Sequence, residues 1–133
     1  MSKLVEFLNA NKQGQFATIN NGRPVMRPFQ FVLERDNKFY FMTSNTKSVY
    51  RELITAGVAG FAVLGKDMSW LRLNGDVQFI NDLELKDEIL DINPMYRGIY
   101  KSAENPSYEV FYIHNGTASL HTGTGSIIEE LEI

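Results

Sequence analysis

Hydrophobic and polar residues change their period several times along the chain. Leu4, Val5 and Leu8 recur at helical spacing, which predicts a short amphipathic helix over 2–11. GQFATINNGRPVMRPFQFVLERDNKFYFMT then alternates in strand fashion and reads as three consecutive strands. Asn21-Gly22 is a strong two-residue hairpin signal within it, and Asp36-Asn37 marks a second turn. Val49, Leu53 and Ile54 restore the helical period and predict a helix over 46–56. VAGFAVLG at 58–65 reads as a buried strand. In MSWLRLNGDVQFI, Leu71, Leu73, Val77 and Phe79 share one face, while Trp70, Arg72, Asn74, Asp76 and Gln78 share the other. Asn81 followed by Glu84 resembles a capping box that opens a helix over about 82–92. SYEVFYIHNGTASLHT reads as a last hairpin turning at Asn115-Gly116, and GTGS at 123–126 as a loop.

This pattern gives about seven strands, mostly in consecutive hairpins, with two or three helices. It predicts a mainly β protein, a small antiparallel barrel with flanking helices, closed or nearly closed, with few apolar outer positions. The length of 133 residues suits one domain over 1–133. Composition narrows the chemistry. A formal charge of −3 gives no bulk attraction to nucleic acid or anionic membranes. The absence of cysteine excludes disulfides, thiolate metal sites and a Cys nucleophile. Glu6 and Asn9 interrupt the first apolar run, so it does not read as a signal peptide, and no run approaches a membrane span. The expected location is cytoplasmic, with neither nucleic acid nor membrane as a partner.

One segment stands out chemically. FMTSNTKSVYR runs from strand to helix, yet the helix start carries Lys47 and then Arg51, with no acid before Glu52. The positive end of a helix dipole ordinarily attracts acids. With Thr43, Ser44 and Thr46 beside Lys47, the segment can hold an anion; alternatively Ser44 or Thr46 caps the helix and Lys47 is solvated. Arg27 shares strand parity with Val25, Phe29, Phe31 and Leu33, and no acid lies near it in that strand. A bound phosphate would accept its planar fork; a sheet rim, or Glu34 or Asp36, is the other way to satisfy it. Trp70 beside Arg72 suits a flat ligand, a subunit interface or a partly covered surface. His114 and His121 make no metal pair: across a hairpin at Asn115-Gly116 they stand about 13 Å apart. No nucleophile elbow, dinucleotide fingerprint or P-loop occurs.

The ordered set FATINNGRPVMRPFQF, KFYFMTSNTKSVYREL and SWLRLNGDVQF resembles the pyridoxamine 5′-phosphate oxidase-like, FMN-binding split-barrel superfamily. It is most similar to the short bacterial members grouped with nitroimidazole resistance and general stress proteins, over about residues 4 to 122. The resemblance implies a six- to seven-stranded antiparallel split barrel, homodimeric, with FMN at the subunit interface. By position, it implies that Arg27 lies near the ribityl phosphate. Thr43, Ser44 and Lys47 match the phosphate-binding stretch, and Met26, Arg27, Pro28 and Phe29 line the isoalloxazine. Trp70 and Arg72 match the strand that borders the cofactor from the partner subunit. The implied activity is a small oxidoreductase passing electrons from a reduced nicotinamide to an unidentified small acceptor. The alternatives are a non-catalytic flavin-binding or stress-related module and an F420-binding relative. No arginine follows Arg97 to match the substrate-holding segment of true pyridoxamine phosphate oxidases, so pyridoxamine phosphate is not the expected substrate. No catalytic residue is assigned, and no metal.

Overall fold

Asn21 and Gly22 take φ of 52° and 76°, and Asp36 and Asn37 take 56° and 60°. These are the positive-φ pairs that the tightest hairpin turns require. In the computed structural model, which describes residues 2–133, the two turns join four strands rather than three: β1 (Gln13–Asn20), β2 (Arg23–Gln30), β3 (Leu33–Arg35) and β4 (Lys38–Ser44). The chain breaks its extended run at Phe31 and Val32, which are buried and cross between sheet edges. Helix α1 (Lys3–Ala10) precedes these strands, and α2 (Ser48–Ala56), β5 (Val58–Leu64) and β6 (Trp70–Ile80) follow. Then come α3 (Leu83–Leu90), α4 (Pro94–Tyr100), β7 (Tyr108–His121) and β8 (Ile127–Glu132). The strands form one antiparallel eight-stranded sheet in the order β2-β1-β5-β6-β7-β4-β3, with β8 also on β7. This is the split-barrel architecture.

Asn115-Gly116 is not a hairpin turn. It is a bulge in the middle of β7: Asn74 pairs with Thr117, but Asp76 pairs with His114, so β7 carries an extra residue there. Asn115 takes φ of 51°, and a Cβ on Gly116 would stand 1.9 Å from the Asn74 carbonyl oxygen. The dipeptide bends the strand without reversing it, because both halves of β7 find partners along β6. Ahead of the bulge β7 also pairs with β4, and beyond it with β8. The real hairpin turns through 122–126, the loop seen in the sequence, with Gly125 at φ 95°. His114 and His121 therefore lie on one strand, farther apart than across a hairpin, and no group of metal-ligating side chains exists among the described residues.

Two cores result. Inside the barrel, Phe16, Phe31, Phe39, Phe41 and Phe111 are wholly buried, with α1 plugging one end through Leu4 and Leu8. Outside β4 and β7, α3 and α4 cover Tyr40, Tyr108 and Val110. Strand β4 is thus buried on both faces. The cap of α3 is Asp82, whose side chain accepts from the Leu85 N–H, one residue beyond the expected Asn81. Helix α4 is additional to the predicted elements; Asn93 caps it and Pro94 opens it. No helix among the described residues is long and apolar enough to cross a membrane.

Candidate functional site

Ser2, Asp82 and Asn93 each present a side-chain oxygen to the first turn of their helices. Helix α2 does not follow this rule. Its N-cap is Lys47, no side chain caps it, and its first turn holds no acid. The two hydroxyls expected to cap it turn to each other, Ser44 Oγ and Thr46 Oγ1 standing 2.7 Å apart. Lys47 and Arg51 are exposed, and among the described residues neither has a carboxylate at ion-pair distance. Thr43 is 2 % exposed, and its Oγ1 is buried without a hydrogen-bond partner. An orphaned buried hydroxyl costs about 1–3 kcal/mol. Positive charge, hydroxyls and an uncapped helix start therefore converge where β4 gives way to α2.

Arg27 differs from expectation. Its partner is an acid of the protein itself, Glu52 on α2: Nη2 donates to Glu52 Oε1 at 2.6 Å. Nη1 donates to Thr18 Oγ1 at 2.8 Å, and Thr18 in turn donates to Glu52 Oε1 at 2.6 Å. The premise that Arg27 lacks an acid, and so requires an external anion, is corrected. The acid was hidden because it lies 25 residues away, on another element. Glu52 follows Val49 by three positions and precedes Leu53, so it falls on the buried stripe of α2, which is the signal that could have revealed it.

The four residues 26–29 divide by strand parity. Met26 and Pro28 are exposed on the outer face; Arg27 and Phe29 point inward. Phe29 packs against Phe16, with ring centroids 4.6 Å apart. A ligand on one face of β2 meets only alternate side chains. Trp70 and Arg72 lie on the outer face of β6. Trp70 stacks on His121 with centroids 4.0 Å apart and planes 4° apart, and the Arg72 guanidinium sits 5.5 Å from the Trp70 ring centroid. His121 is buried, shares a 2.9 Å hydrogen bond with Ser119 through Nε2, and leaves Nδ1 without a partner. Within one chain Trp70 and the start of α2 are not brought together. Ser44 pairs with Tyr108, and Trp70 pairs with His121 at the other end of β7.

The outer face between them is apolar, contrary to the expectation of a polar exterior. Ile19, Met26, Val58 and Leu64 are exposed there. Ala17, Gly60 and Asn74 floor two adjoining hollows of about 340 and 180 Å³.

Residues 1–122 match the sequence signature of the family described as Pyridoxamine 5′-phosphate oxidase. The chain belongs to that family. Solved members of the pyridoxamine 5′-phosphate oxidase fold superimpose closely. A NimC/NimA family protein from Clostridium acetobutylicum is 26% identical with a TM-score of 0.86, over 96% of this chain and 88% of that one. General Stress Protein 26 from Bacillus anthracis is 17% identical with a TM-score of 0.81, over 98% and 96% of the two chains. A heme binding protein from Mycobacterium smegmatis is 16% identical with a TM-score of 0.78, over 99% of this chain and 58% of that one. No curated protein sequence matches at a significant level. In this oxidase-family chain, the residues missed by sequence reasoning are Glu52, Thr18 and His121, each of which acts through a contact between distant strands or between strand and helix.

Proposed function

We propose that residues 1–133 act as one FMN-binding domain that works as a homodimer and transfers electrons from a reduced nicotinamide to a small acceptor. Family membership supports a flavin-binding fold, and one observation carries the rest: the uncapped start of α2 with its unpaired cation. The residues present fit a phosphate there. Lys47 supplies charge, Ser44 and Thr46 supply hydroxyls, and no side chain caps the first turn of α2. The orphaned Thr43 hydroxyl precedes Ser44 on β4. In this reading Arg27 is a positioning residue, since Glu52 already occupies its fork. Met26 and Pro28 border the ring from one subunit, and Trp70 and Arg72 reach it from the other. When bound, the isoalloxazine supplies the redox chemistry, and the protein supplies placement and electrostatics.

The test is direct. The purified protein should be yellow and release FMN on denaturation, identified chromatographically against F420 and haem. Lys47→Ala should weaken FMN binding about 10- to 150-fold, from the loss of one charged partner. Rapid bleaching by NADH or NADPH, with reoxidation by an acceptor, separates an enzyme from a flavin-binding module. A colourless protein that takes up no FMN, or an unchanged affinity in Lys47→Ala, overturns the reading.

A further inference from the structure

Lys86 is charged, yet it is only 6 % exposed. Its ammonium lies over the Tyr108 ring, 4.9 Å from the centroid, and among the described residues no carboxylate stands within ion-pair distance of it. The ring beneath is fixed from two sides. Tyr108 donates its hydroxyl proton to the Lys86 carbonyl at 2.9 Å and stacks on Tyr100 with centroids 4.7 Å apart. The Lys86 stem is thus covered, and among the described residues its charged end is left without a carboxylate partner of the protein's own.

Lys86 lines a polar cavity of about 540 Å³ between α3 and the 103–109 segment, within the size range of small-molecule sites. The same cavity is lined by Glu104 and Glu109. Glu109 accepts one hydrogen bond at Oε2, from the Asn45 side-chain amide at 2.8 Å. Glu104 has no ion-pair partner among the described residues. The lining thus sets one ammonium against two carboxylates. A plain anion would meet Lys86 but be repelled by both glutamates, and a plain amine would meet the glutamates but leave Lys86 without an anion. A molecule bearing both charges satisfies the set.

We propose that this cavity binds a small zwitterion of the α-amino acid class, its carboxylate on Lys86 and its ammonium on Glu109 and Glu104. Asn45 reports on the site, because its amide bonds both Glu109 and the Pro106 carbonyl, each at 2.8 Å. The site does not rest on the flavin reading, and a protein without FMN would leave it standing.

Calorimetric titration of the full chain with L-alanine and L-phenylalanine tests it, with hydrocinnamate and phenethylamine as matched probes of one charge each. At least one amino acid should bind once per chain, and both single-charge probes should bind at least about tenfold more weakly. Lys86→Met, which keeps the apolar stem, and Glu109→Gln should each weaken amino acid binding about tenfold or more while retaining a wild-type far-ultraviolet spectrum. The Asn45 side-chain amide resonances should move during the titration. Failure of both amino acids to bind, equal binding of the single-charge probes, or unchanged affinity in the folded variants overturns the proposal.

Discussion

Glu52 links two elements that no local rule would join. Its carboxylate takes both the Arg27 guanidinium and the Thr18 hydroxyl, so β1, β2 and α2 meet at one oxygen. The Glu52 side chain is 9 % exposed and that of Arg27 20 %. Removing one partner of a fully buried pair costs about 3–5 kcal/mol, and the remaining solvent at Arg27 lowers this to about 2–3 kcal/mol. Arg27→Met and Glu52→Leu should each lower stability by that amount in urea unfolding. The double variant should fall short of the sum by at least about 1 kcal/mol, because the pair is coupled. Strict additivity would show that the two side chains do not depend on each other. The parity of Arg27 was legible in the sequence, as was the cationic start of α2. The partner of Arg27 was not, since strand alternation says which face a side chain takes and nothing about which distant helix covers that face. The inward turn of Phe29 was likewise legible from its parity with Arg27, whereas its stacking on Phe16 depends on the β1–β2 register.

Among the elements, the same dipeptide has two outcomes. Asn21-Gly22 turns a hairpin because β1 and β2 pair with each other across it. Asn115-Gly116 bulges because β6 continues alongside on both sides. Local chemistry supplies the positive φ in each case, and only the neighbouring strand decides between them. Helix α4 was written in Asn93-Pro94, but its seven residues are too short to show a period. The layer formed by α3 and α4 on β7 has a testable dependence on pH. Burial pushes the Tyr108 hydroxyl well above the ordinary phenol range, and burial also raises Tyr96 and Tyr100. A tyrosine in the unfolded chain ionises near pH 10. Above that, the unfolded chain gives up a proton that the folded chain keeps, so stability is intact below about pH 10 and falls as the pH rises past it. Each such group contributes a slope of about 1.4 kcal/mol per pH unit. Urea midpoints should therefore drop steeply above about pH 10, and Tyr108→Phe should drop less steeply. Parallel curves for the two proteins would remove Tyr108 from the account.

For the molecule as a whole, the apolar outer face and the separation of Trp70 from α2 have one common solution. In the homodimer we propose, a second copy laid across β1, β2, β5 and β6 would cover Met26 and Leu64 and would carry its own Trp70 toward the first copy's helix start. Ala62 faces outward within that patch and pairs with Gln15 and Arg72. Ala62→Glu should raise the dimer dissociation constant at least about a hundredfold, since it places a charge in the apolar contact. Sedimentation velocity reads the change, and FMN affinity should fall with it. A monomeric wild-type protein that holds FMN tightly would contradict this. The placement of β7 also has a consequence for synthesis. It is the strand that joins β6 to β4, yet its first residue is Tyr108. Between the completion of β6 at Ile80 and the arrival of Tyr108, a nascent chain on the ribosome thus carries two open ladders, one on β6 and one on β4. Until β7 is made the barrel lacks its keystone, so quality-control factors that grip bare strand edges have their opportunity before that strand emerges.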